Sequence, residues 1–212
     1  MKIGGKATDG PVSRYINRKF STRITGFIVK HDIPVTPNQV SLISFLLGLA
    51  SLPAYMTGLE WLGGILVQAA SIIDGVDGEL ARARNMASPV GGFVDAILDR
   101  IANASIILGI TLYSFNSWKM LALIAGMLAL FGDVMVSYLH ARAEASLKVH
   151  PSKIGKIPMF ASRDVRLFLI FVFSLVGASF YSLWLVATMS LLYVFLKTGE
   201  IYFVLGRKEE IR

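Results

Sequence analysis

Four aspartates lie close together in an otherwise apolar part of the chain: Asp74, Asp77, Asp95 and Asp99. A carboxylate in the hydrocarbon interior of a membrane costs roughly 2.5–3.5 kcal/mol on the insertion scale, so four of them require a shared polar cavity. The members of each pair are three or four positions apart, which places them on one face of a helix. Oxygen ligands on rigid helices favour hard cations. We therefore predict a divalent-metal site, with Mg²⁺ as the abundant candidate and Mn²⁺ or Ca²⁺ as alternatives for the same ligands.

The elements that position these aspartates are predicted to be membrane-spanning helices. The 212 residues are 54% hydrophobic and 17% charged, with a mean hydropathy of +0.61, whereas a soluble domain usually has about 25% charged residues. Five or six apolar stretches have about the 20 residues that cross a ~30 Å hydrocarbon core. We predict an all-α integral membrane protein with six transmembrane helices, at residues 39–58, 61–82, 91–114, 118–142, 165–181 and 184–205.

The lysines and arginines indicate the orientation of these spans. Seven lie within residues 1–30, others follow the second and fourth spans, and three lie in the C-terminal tail, whereas the opposite connections carry only Lys119. Under the positive-inside rule, this predicts a multi-pass protein of the cell membrane with both termini and the aspartate-bearing end in the cytoplasm. The formal net charge of +7 is then a signal of topology and of contact with the lipid bilayer. No nucleic-acid partner is expected, because membrane spans interrupt the basic residues.

The segment before the first span is predicted to be a cytoplasmic interfacial amphipathic helix. Over residues 11–31, apolar residues recur on one face at helical spacing and basic residues occupy much of the rest, as in helices that lie along a membrane surface. A basic flank that only sets the topology explains the pattern equally well. Pro34 and Pro37 break the chain before the first span, and Asn38 is a candidate cap of that span.

The chain is predicted to form a single domain over residues 1–212, because it contains no internal repeat and no flexible linker. Residues 1–35 would be the juxtamembrane segment and residues 36–206 the six-helix bundle. Cysteine is absent, which excludes disulfides and thiolate metal ligands.

Small residues and one arginine surround the aspartates. Gly78 and Ala81 leave space for a ligand beside Asp77, and Arg82 follows one turn after Gly78 on the same side. An arginine beside metal-binding carboxylates suits a phosphate-rich substrate that contacts both. Two alternatives stay open, since close helix packing explains the small residues and a salt bridge to Asp77 or Glu79 explains the arginine. A turn between the two aspartate pairs is predicted at Pro89, Gly91 and Gly92.

The complete spacing is Asp-x-x-Asp-Gly-x-x-Ala-Arg, then eight residues, then Gly-x-x-x-Asp-x-x-x-Asp. This pattern resembles the signature of the CDP-alcohol phosphotransferase (CDP-alcohol phosphatidyltransferase) family of integral membrane enzymes. Members transfer a phosphoalcohol group from a CDP-alcohol to a second alcohol and release CMP. The resemblance implies a two-metal site on the four aspartates, with Asp99 also acting as the general base for the acceptor hydroxyl. It implies donor contacts at Gly78, Ala81, Arg82 and Asn38, and it implies a homodimer.

A second resemblance concerns the acceptor. The segment 137–144 is similar to family members that accept inositol phosphate, which implies that Arg142, Arg166 and His140 bind the acceptor's phosphate. Those members usually have lysine where His140 stands. Ordinary basic flanking of a span is the alternative for the two arginines, and glycerol phosphate or serine are alternative acceptors. The segment 9–18 is similar to archaeal members fused to a cytidylyltransferase domain, whose donor is CDP-inositol, so the donor stays open.

Other functions and residues complete the predictions. A divalent-cation transporter would also explain carboxylates in the membrane, a phosphohydrolase would use the same metals with water, and a non-enzymatic scaffold would leave the motif unexplained. Asp133 lies inside the fourth span and is predicted either to face the polar cavity or to pair with an arginine. Asn103 is predicted either to extend the polar wall or to bond between helices.

Overall fold

The structure is a computed structural model that describes residues 9–209, with side chains described up to residue 205. Residues 1–8 and 210–212 of the predicted domain lie outside the described residues. Within this part of the chain, every regular element is helical. A π-helical turn, Ser13–Asn17, precedes seven α-helices. These are α1 (Arg18–Lys30), α2 (Pro37–Met56), α3 (Glu60–Ala83), α4 (Pro89–Trp118), α5 (Met120–Leu147), α6 (Arg163–Leu175) and α7 (Ser179–Glu209). A short 3₁₀ turn, Pro151–Lys153, lies in the connection between α5 and α6.

Helices α2 to α7 follow the order of the six predicted spans. Three of them have the length and apolar composition to cross a membrane: Pro37–Met56, Met120–Leu147 and Ser179–Leu205. Helices α3 and α4 carry the aspartates. Helix α6 has 13 residues and is therefore only about 20 Å long.

The predicted bounds of the fifth and sixth spans were wrong. The predicted fifth span, 165–181, extends past the end of α6, and the predicted sixth span, 184–205, begins after the start of α7. Helix α6 ends at Leu175, the chain turns at Gly177 with a φ of +68°, and α7 starts at Ser179 rather than at 184. The amides of Gly177 and Ala178 donate to carbonyls in the last turn of α6. Glycine adopts a positive φ without steric cost, so the helix can end here. Hydropathy did not predict this end, because the residues on both sides of the turn are apolar.

Two predictions about helix starts were wrong. Thr36 caps α2 through a reciprocal pair of bonds with Gln39, so Asn38 lies inside the first turn and is not the cap. Ser88 caps α4 by accepting a bond from the Gly91 amide at 3.0 Å. The predicted turn residues Pro89, Gly91 and Gly92 therefore belong to α4 itself, because proline at the first helical position needs no amide donor.

The helices pack around one large apolar core. Helix α2 packs against α3 and α4, α5 against α7 and α4, and α6 against α3. The Tyr55 hydroxyl and the Ser174 hydroxyl are 2.7 Å apart inside this core, which joins α2 to α6. At Gly109, an added Cβ would lie 2.8 Å from the Leu52 backbone. The small-residue packing expected in a membrane bundle is therefore present between α2 and α4.

Helix α1 has a third face that the two-faced sequence pattern did not predict. Tyr15, in the preceding turn, and Phe20 and Phe27 are about half exposed or more. Ser21 and Thr25 are completely buried, together with Asn17 in the preceding turn, and they contact α3. The Asn17 side chain donates to the Ser71 hydroxyl at 3.0 Å and accepts from Gln68 at 2.8 Å. These small polar residues gave no hydropathy signal, and only their partners on α3 explain their burial.

Candidate functional site

The fold brings the four aspartates together at one end of the bundle. Asp74 and Asp77 lie in the second half of α3, and Asp95 and Asp99 lie in the first half of the neighbouring α4. One carboxylate oxygen from each of Asp74, Asp95 and Asp99 lies within 4.8 Å of the others. Three converging carboxylates on two helices suit a hard divalent cation, so the residues present fit the metal that the spacing predicted.

Asp77 differs from the other three aspartates. It is buried and accepts a hydrogen bond from the Ser41 hydroxyl of α2 at 2.5 Å. The group of converging oxygens contains Asp99 and not Asp77, whereas the resemblance implied a two-metal site on all four aspartates. The side chains nevertheless belong to one cluster, because Asp77 and Asp95 line the same cavities.

An arginine that the sequence analysis did not single out lies against this cluster. Arg163, the first residue of α6, approaches Asp74 at 3.0 Å and Asp99 at 2.8 Å. Its Nε donates to the Asn103 side-chain oxygen at 3.2 Å. Arg100 makes a longer contact, 3.5 Å, to the other oxygen of Asp99. The sequence pattern explained Arg163 as a flanking charge, since nothing in its spacing relates α6 to α3 and α4.

One cavity beside the cluster contains all the predicted donor contacts. We call it the motif cavity; its volume is about 350 Å³. Asn38, Gly78, Ala81 and Arg82 all line it. A Cβ added at Gly92, which also lines this cavity, would meet no atom within 4 Å outside its chain neighbours and its own helix backbone. Its walls come from the start of α2, the end of α3 and the start of α4.

A second cavity of about 270 Å³ lies on the other side of the cluster, and we call it the polar cavity. Of the three residues for which the resemblance implied acceptor contacts, His140 and Arg166 line this cavity, whereas Arg142 is exposed and does not. Arg100 and Arg163 add two further guanidinium groups. Its walls also include residues of the amino-terminal segment: Asp9, Gly10, Ser13, Asn17, Arg18 and Ser21.

The two cavities meet at the aspartates. Four residues line both of them: Asp77, Gly78, Arg82 and Asp95. A ligand in the motif cavity and a ligand in the polar cavity would therefore approach each other beside the carboxylate cluster. This arrangement suits transfer of a group between two bound molecules.

Buried ion pairs fix the walls of the polar cavity. Arg166 pairs with Asp133 at 2.9 Å, and both side chains are at least 95% buried. Asp133 also accepts from Asn103 at 3.1 Å, which joins α4 to α5. Of the alternatives for Asp133, the arginine partner is the one that the structure contains, although the Nε of Arg166 has no hydrogen-bond partner among the described residues.

The two histidines of this region lie together. The rings of His140 and His150 are 5.1 Å apart, and the His140 Nε2 is 3.1 Å from the Tyr193 hydroxyl. Burial lowers the pKa of His150, so this side chain is expected to be neutral at pH 7. The arginines therefore supply the positive charge of the cavity. The sequence pattern does not relate His150 to this cavity, because His150 reaches it only where the connection between α5 and α6 folds back onto α5.

The amino-terminal segment is anchored to α3 through a buried glutamate. Glu79 has no exposed side-chain surface and accepts bonds from Arg18 at 2.7 Å, Ser21 at 2.8 Å and Thr25 at 2.8 Å. Arg18 also donates to the Gly75 carbonyl at 3.0 Å and pairs with Asp9. Burial lowers the pKa of Arg18, but the hydrogen bonds to Asp9 and Glu79 outweigh it and hold the pKa above its ordinary value.

Comparison with known proteins assigns the class. The sequence model of the CDP-alcohol phosphatidyltransferase family matches residues 34–196, and the chain belongs to that family. The match covers α2 to α6 and most of α7, including every aspartate of the cluster.

Within this family, the chain is similar in sequence to several individual proteins. The chain is 49% identical over 180 residues to a bifunctional IPC transferase and DIPP synthase of Rubrobacter xylanophilus, and 40% identical over 208 residues to that of Thermococcus kodakarensis. It spans 40% and 45% of their lengths, respectively, and thus less than half of each. It is also 35% identical over 160 residues to an archaetidylinositol phosphate synthase of Pyrococcus horikoshii, of which it covers 79%.

Solved structures confirm the fold. The phosphatidylinositol phosphate synthase of Mycobacterium tuberculosis, crystallised with CDP-DAG bound, superposes with a TM-score of 0.72 at 23% identity. The match covers 87% of this chain and 94% of that one. A second structure of the same protein contains manganese and citrate and has the same TM-score.

Proposed function

We propose that this chain transfers a phosphoalcohol group from a CDP-alcohol to inositol phosphate and releases CMP. One observation carries the proposal: the motif cavity and the polar cavity meet at Asp77 and Asp95. The donor's pyrophosphate would lie at this junction and its cytidine in the motif cavity. The acceptor would occupy the polar cavity with its hydroxyl directed to the same point.

The proposed chemistry divides into binding, orientation and proton transfer. Asn38, Gly78, Ala81 and Arg82 would hold the donor, with the arginine on its phosphates. Asp99 would take the proton of the acceptor hydroxyl, which is a poor nucleophile until it is deprotonated. The oxygen then attacks phosphorus, the bond from phosphorus to the CMP oxygen breaks, and a single in-line displacement completes the transfer.

We propose Mg²⁺ as the metal, with Mn²⁺ and Ca²⁺ as alternatives. Asp74, Asp95 and Asp99 would hold it, and Asp77 would complete a two-metal site. Divalent cations at this cluster would neutralise the charge that develops on the phosphoryl oxygens. The support is the convergence of the three carboxylates, together with the manganese in a structural neighbour.

Inositol phosphate is the proposed acceptor because the polar cavity combines cations with hydrogen-bonding groups. Arg100, Arg163 and Arg166 offer guanidinium groups for a phosphate, and His140 adds a hydrogen-bonding imidazole. The names of the relatives, which include archaetidylinositol phosphate synthase, agree with this choice. The predicted role of Arg142 in phosphate binding stays a prediction, since its side chain is exposed.

We further propose the membrane arrangement that the sequence predicted. Helices α2 to α7 would form a six-helix multi-pass bundle, with both termini and the aspartate end in the cytoplasm. Helix α1 would lie at the cytoplasmic membrane surface, with Tyr15, Phe20 and Phe27 in contact with lipid. The protein would act as a homodimer in the cell membrane.

The proposal is tested with purified protein reconstituted in lipid nanodiscs. CDP-diacylglycerol, CDP-archaeol and CDP-inositol are each incubated with inositol phosphate, glycerol phosphate, serine or free inositol, and CMP release and product mass are measured. We expect CMP release only when Mg²⁺, one of the donors and inositol phosphate are all present. Asp99→Asn is expected to abolish transfer while the protein still binds the CDP donor.

Three outcomes would contradict the proposal in different ways. Release of CMP without any added alcohol would indicate a hydrolase. Transfer to glycerol phosphate or serine, but not to inositol phosphate, would replace the acceptor and leave the reaction class intact. Failure with every donor and acceptor, combined with metal uptake into sealed vesicles, would favour a transporter.

A further inference from the structure

The metal-binding carboxylates already have a cation among them. Arg163 places one guanidinium nitrogen 3.0 Å from Asp74 of α3 and another 2.8 Å from Asp99 of α4. Its third nitrogen donates to Asn103, and only 18% of the side chain is exposed. The guanidinium therefore bridges the two helices that carry the cluster.

This contact conflicts with metal binding at the same cluster. Asp74 and Asp99 are two of the three carboxylates that converge on a candidate metal position. A divalent cation bound to them would lie within a few ångströms of the guanidinium, where two positive charges repel each other strongly in a partly buried site. The cation would therefore compete with Arg163 for the negative charge of these two carboxylates.

The displaced guanidinium of Arg163 could turn into the polar cavity. Arg163 lines the polar cavity, as Arg100 and Arg166 do. Arg166 is held by Asp133 and by the Ala161 carbonyl, so two of its three nitrogens are already engaged. A released Arg163 would present a planar fork to a phosphate in that cavity, and such pairs are strong and directional.

We propose that Arg163 is an internal counter-cation that divalent metal displaces from Asp74 and Asp99, and that the released guanidinium then binds the acceptor's phosphate. Metal and acceptor phosphate thereby bind cooperatively through one side chain. The first half of the inference depends only on the carboxylate cluster. The second half rests on the proposed function, because it requires a phosphorylated acceptor.

The first experiment measures metal binding without turnover. The full chain is purified in detergent without donor, and free Mn²⁺ is followed by electron paramagnetic resonance during titration. Arg163→Gln is expected to bind Mn²⁺ roughly tenfold more tightly than the unmodified protein, because no ion pair has to break. Without metal its melting temperature should be lower, and saturating Mn²⁺ should restore it.

Arg100→Gln is the matched control. It removes the same charge from the same cavity, but Arg100 makes a single 3.5 Å contact to Asp99 and is 37% exposed. Its Mn²⁺ affinity is expected to change by less than about twofold, as for exposed pairs. If both variants gain Mn²⁺ affinity equally, the gain comes from the lost charge and not from the ion pairs of Arg163, and displacement is contradicted. Unchanged Mn²⁺ affinity in Arg163→Gln would likewise overturn the displacement of Arg163 by metal.

Arg163→Lys provides a second route if the glutamine variant does not fold. Lysine keeps the charge but lacks the fork that reaches two carboxylates. Its Mn²⁺ affinity should fall between those of the unmodified protein and Arg163→Gln. Affinity equal to or weaker than that of the unmodified protein would contradict displacement.

The second experiment repeats the titration with inositol 1-phosphate present. In the unmodified protein, inositol 1-phosphate should lower the Mn²⁺ dissociation constant at least about fivefold, and Mn²⁺ should tighten inositol 1-phosphate binding by the same factor. Arg163→Gln should show no such coupling, whereas Lys153→Gln, at an exposed position in the connection between α5 and α6, should keep it. Coupling that persists in Arg163→Gln would overturn the inference and leave the proposed function intact. Absence of inositol 1-phosphate binding to the unmodified protein would overturn the proposed acceptor, and the second half with it.

Discussion

Asp77 and Glu79 are two residues apart on α3, but their carboxylates face different parts of the molecule. Glu79 faces α1, where Arg18, Ser21 and Thr25 satisfy it completely. Asp77 faces the cavities, with one hydroxyl donor from Ser41 and the carboxylates of Asp74 and Asp95 nearby. Both are buried. Burial alone therefore does not distinguish a carboxylate that stabilises the fold from one that is placed to bind a ligand. The number of hydrogen-bond and ion-pair partners of each carboxylate does.

The comparison extends to energetics. On the α1 face, the negative charge is matched by a cation and two hydroxyls, so that face is expected to contribute to stability. On the cavity face, four carboxylates lie together, and Arg163 and Arg100 contact two of them, Asp74 and Asp99. Like charges that are held together destabilise a fold unless a ligand neutralises them. We therefore expect substitutions on the two faces to have opposite effects on stability and activity.

The largest effect is expected for Asp95→Asn. It removes a carboxylate that lines both cavities, so turnover should fall by about 10³-fold or more. Without metal, the melting temperature should not decrease, because one like charge is lost and the Arg163 pairs remain. Asp32→Asn, at a fully exposed side chain, is the control for both assays. Turnover within tenfold of the unmodified enzyme would remove Asp95 from the site.

Glu79→Ala should have the next largest effect, and it should act on stability. It leaves Arg18 without its buried partner, which typically costs about 3–5 kcal/mol, and denaturant unfolding in detergent measures the change. Glu144→Ala, at an exposed position near the end of α5, should change the free energy of unfolding by less than about 0.5 kcal/mol. If Glu79→Ala unfolds like Glu144→Ala, the two faces of α3 do not differ as described.

Gly92→Ala is expected to separate binding from stability. A Cβ there meets nothing within 4 Å beyond its chain neighbours and its own helix backbone, and it enters the motif cavity. The KM for the CDP donor should rise roughly tenfold, while the helix gains about 0.5–1 kcal/mol. Gly26→Ala on α1, where a Cβ also meets nothing, should give the gain in stability without any change in KM. An unchanged donor KM in Gly92→Ala would mean that the donor does not use this cavity.

The smallest effect is expected for Arg142→Ala. Its exposed side chain lies outside both cavities, so the KM for inositol phosphate should change by less than about twofold. The resemblance implies a direct phosphate contact, which would raise that KM about tenfold or more. Initial rates over a range of inositol phosphate concentrations decide between the two.

Much of the fold could be predicted because hydropathy and charge alternate on the scale of a membrane helix. Helices α2 to α5 begin and end within about five residues of the predicted spans. The break at Gly177 was missed because the residues around it are apolar in helix and turn alike. The polar face of α1 was missed for the opposite reason, since serine and threonine resemble a solvated surface until their partner, Glu79, is known.

Parts of the site were also predictable from the sequence, and other parts were not. The spacing of Asp74 and Asp77, and of Asp95 and Asp99, placed each pair on one helix face, and the motif located the wall of the motif cavity. The contacts of Arg163 and Arg100 with the aspartates were not predicted. They depend on the direction of each side chain in the folded protein, which the periodicity of the sequence does not give. Arg166 was found, but its buried pair with Asp133 was one of two alternatives.

The sequence by itself determined helices α2 to α5, the family and the carboxylates, since these follow from local periodicity, hydropathy and fixed spacing within two adjacent helices. The tertiary structure decided which charges are satisfied. Arg18 reaches Glu79 across 61 positions of sequence, and Arg163 reaches Asp74 and Asp99 from another helix. Pairing of charges depends on distances of a few ångströms between elements that are remote in the chain. Those distances make Glu79 part of the fold, and they place Arg163 against two of the aspartates beside the cavities.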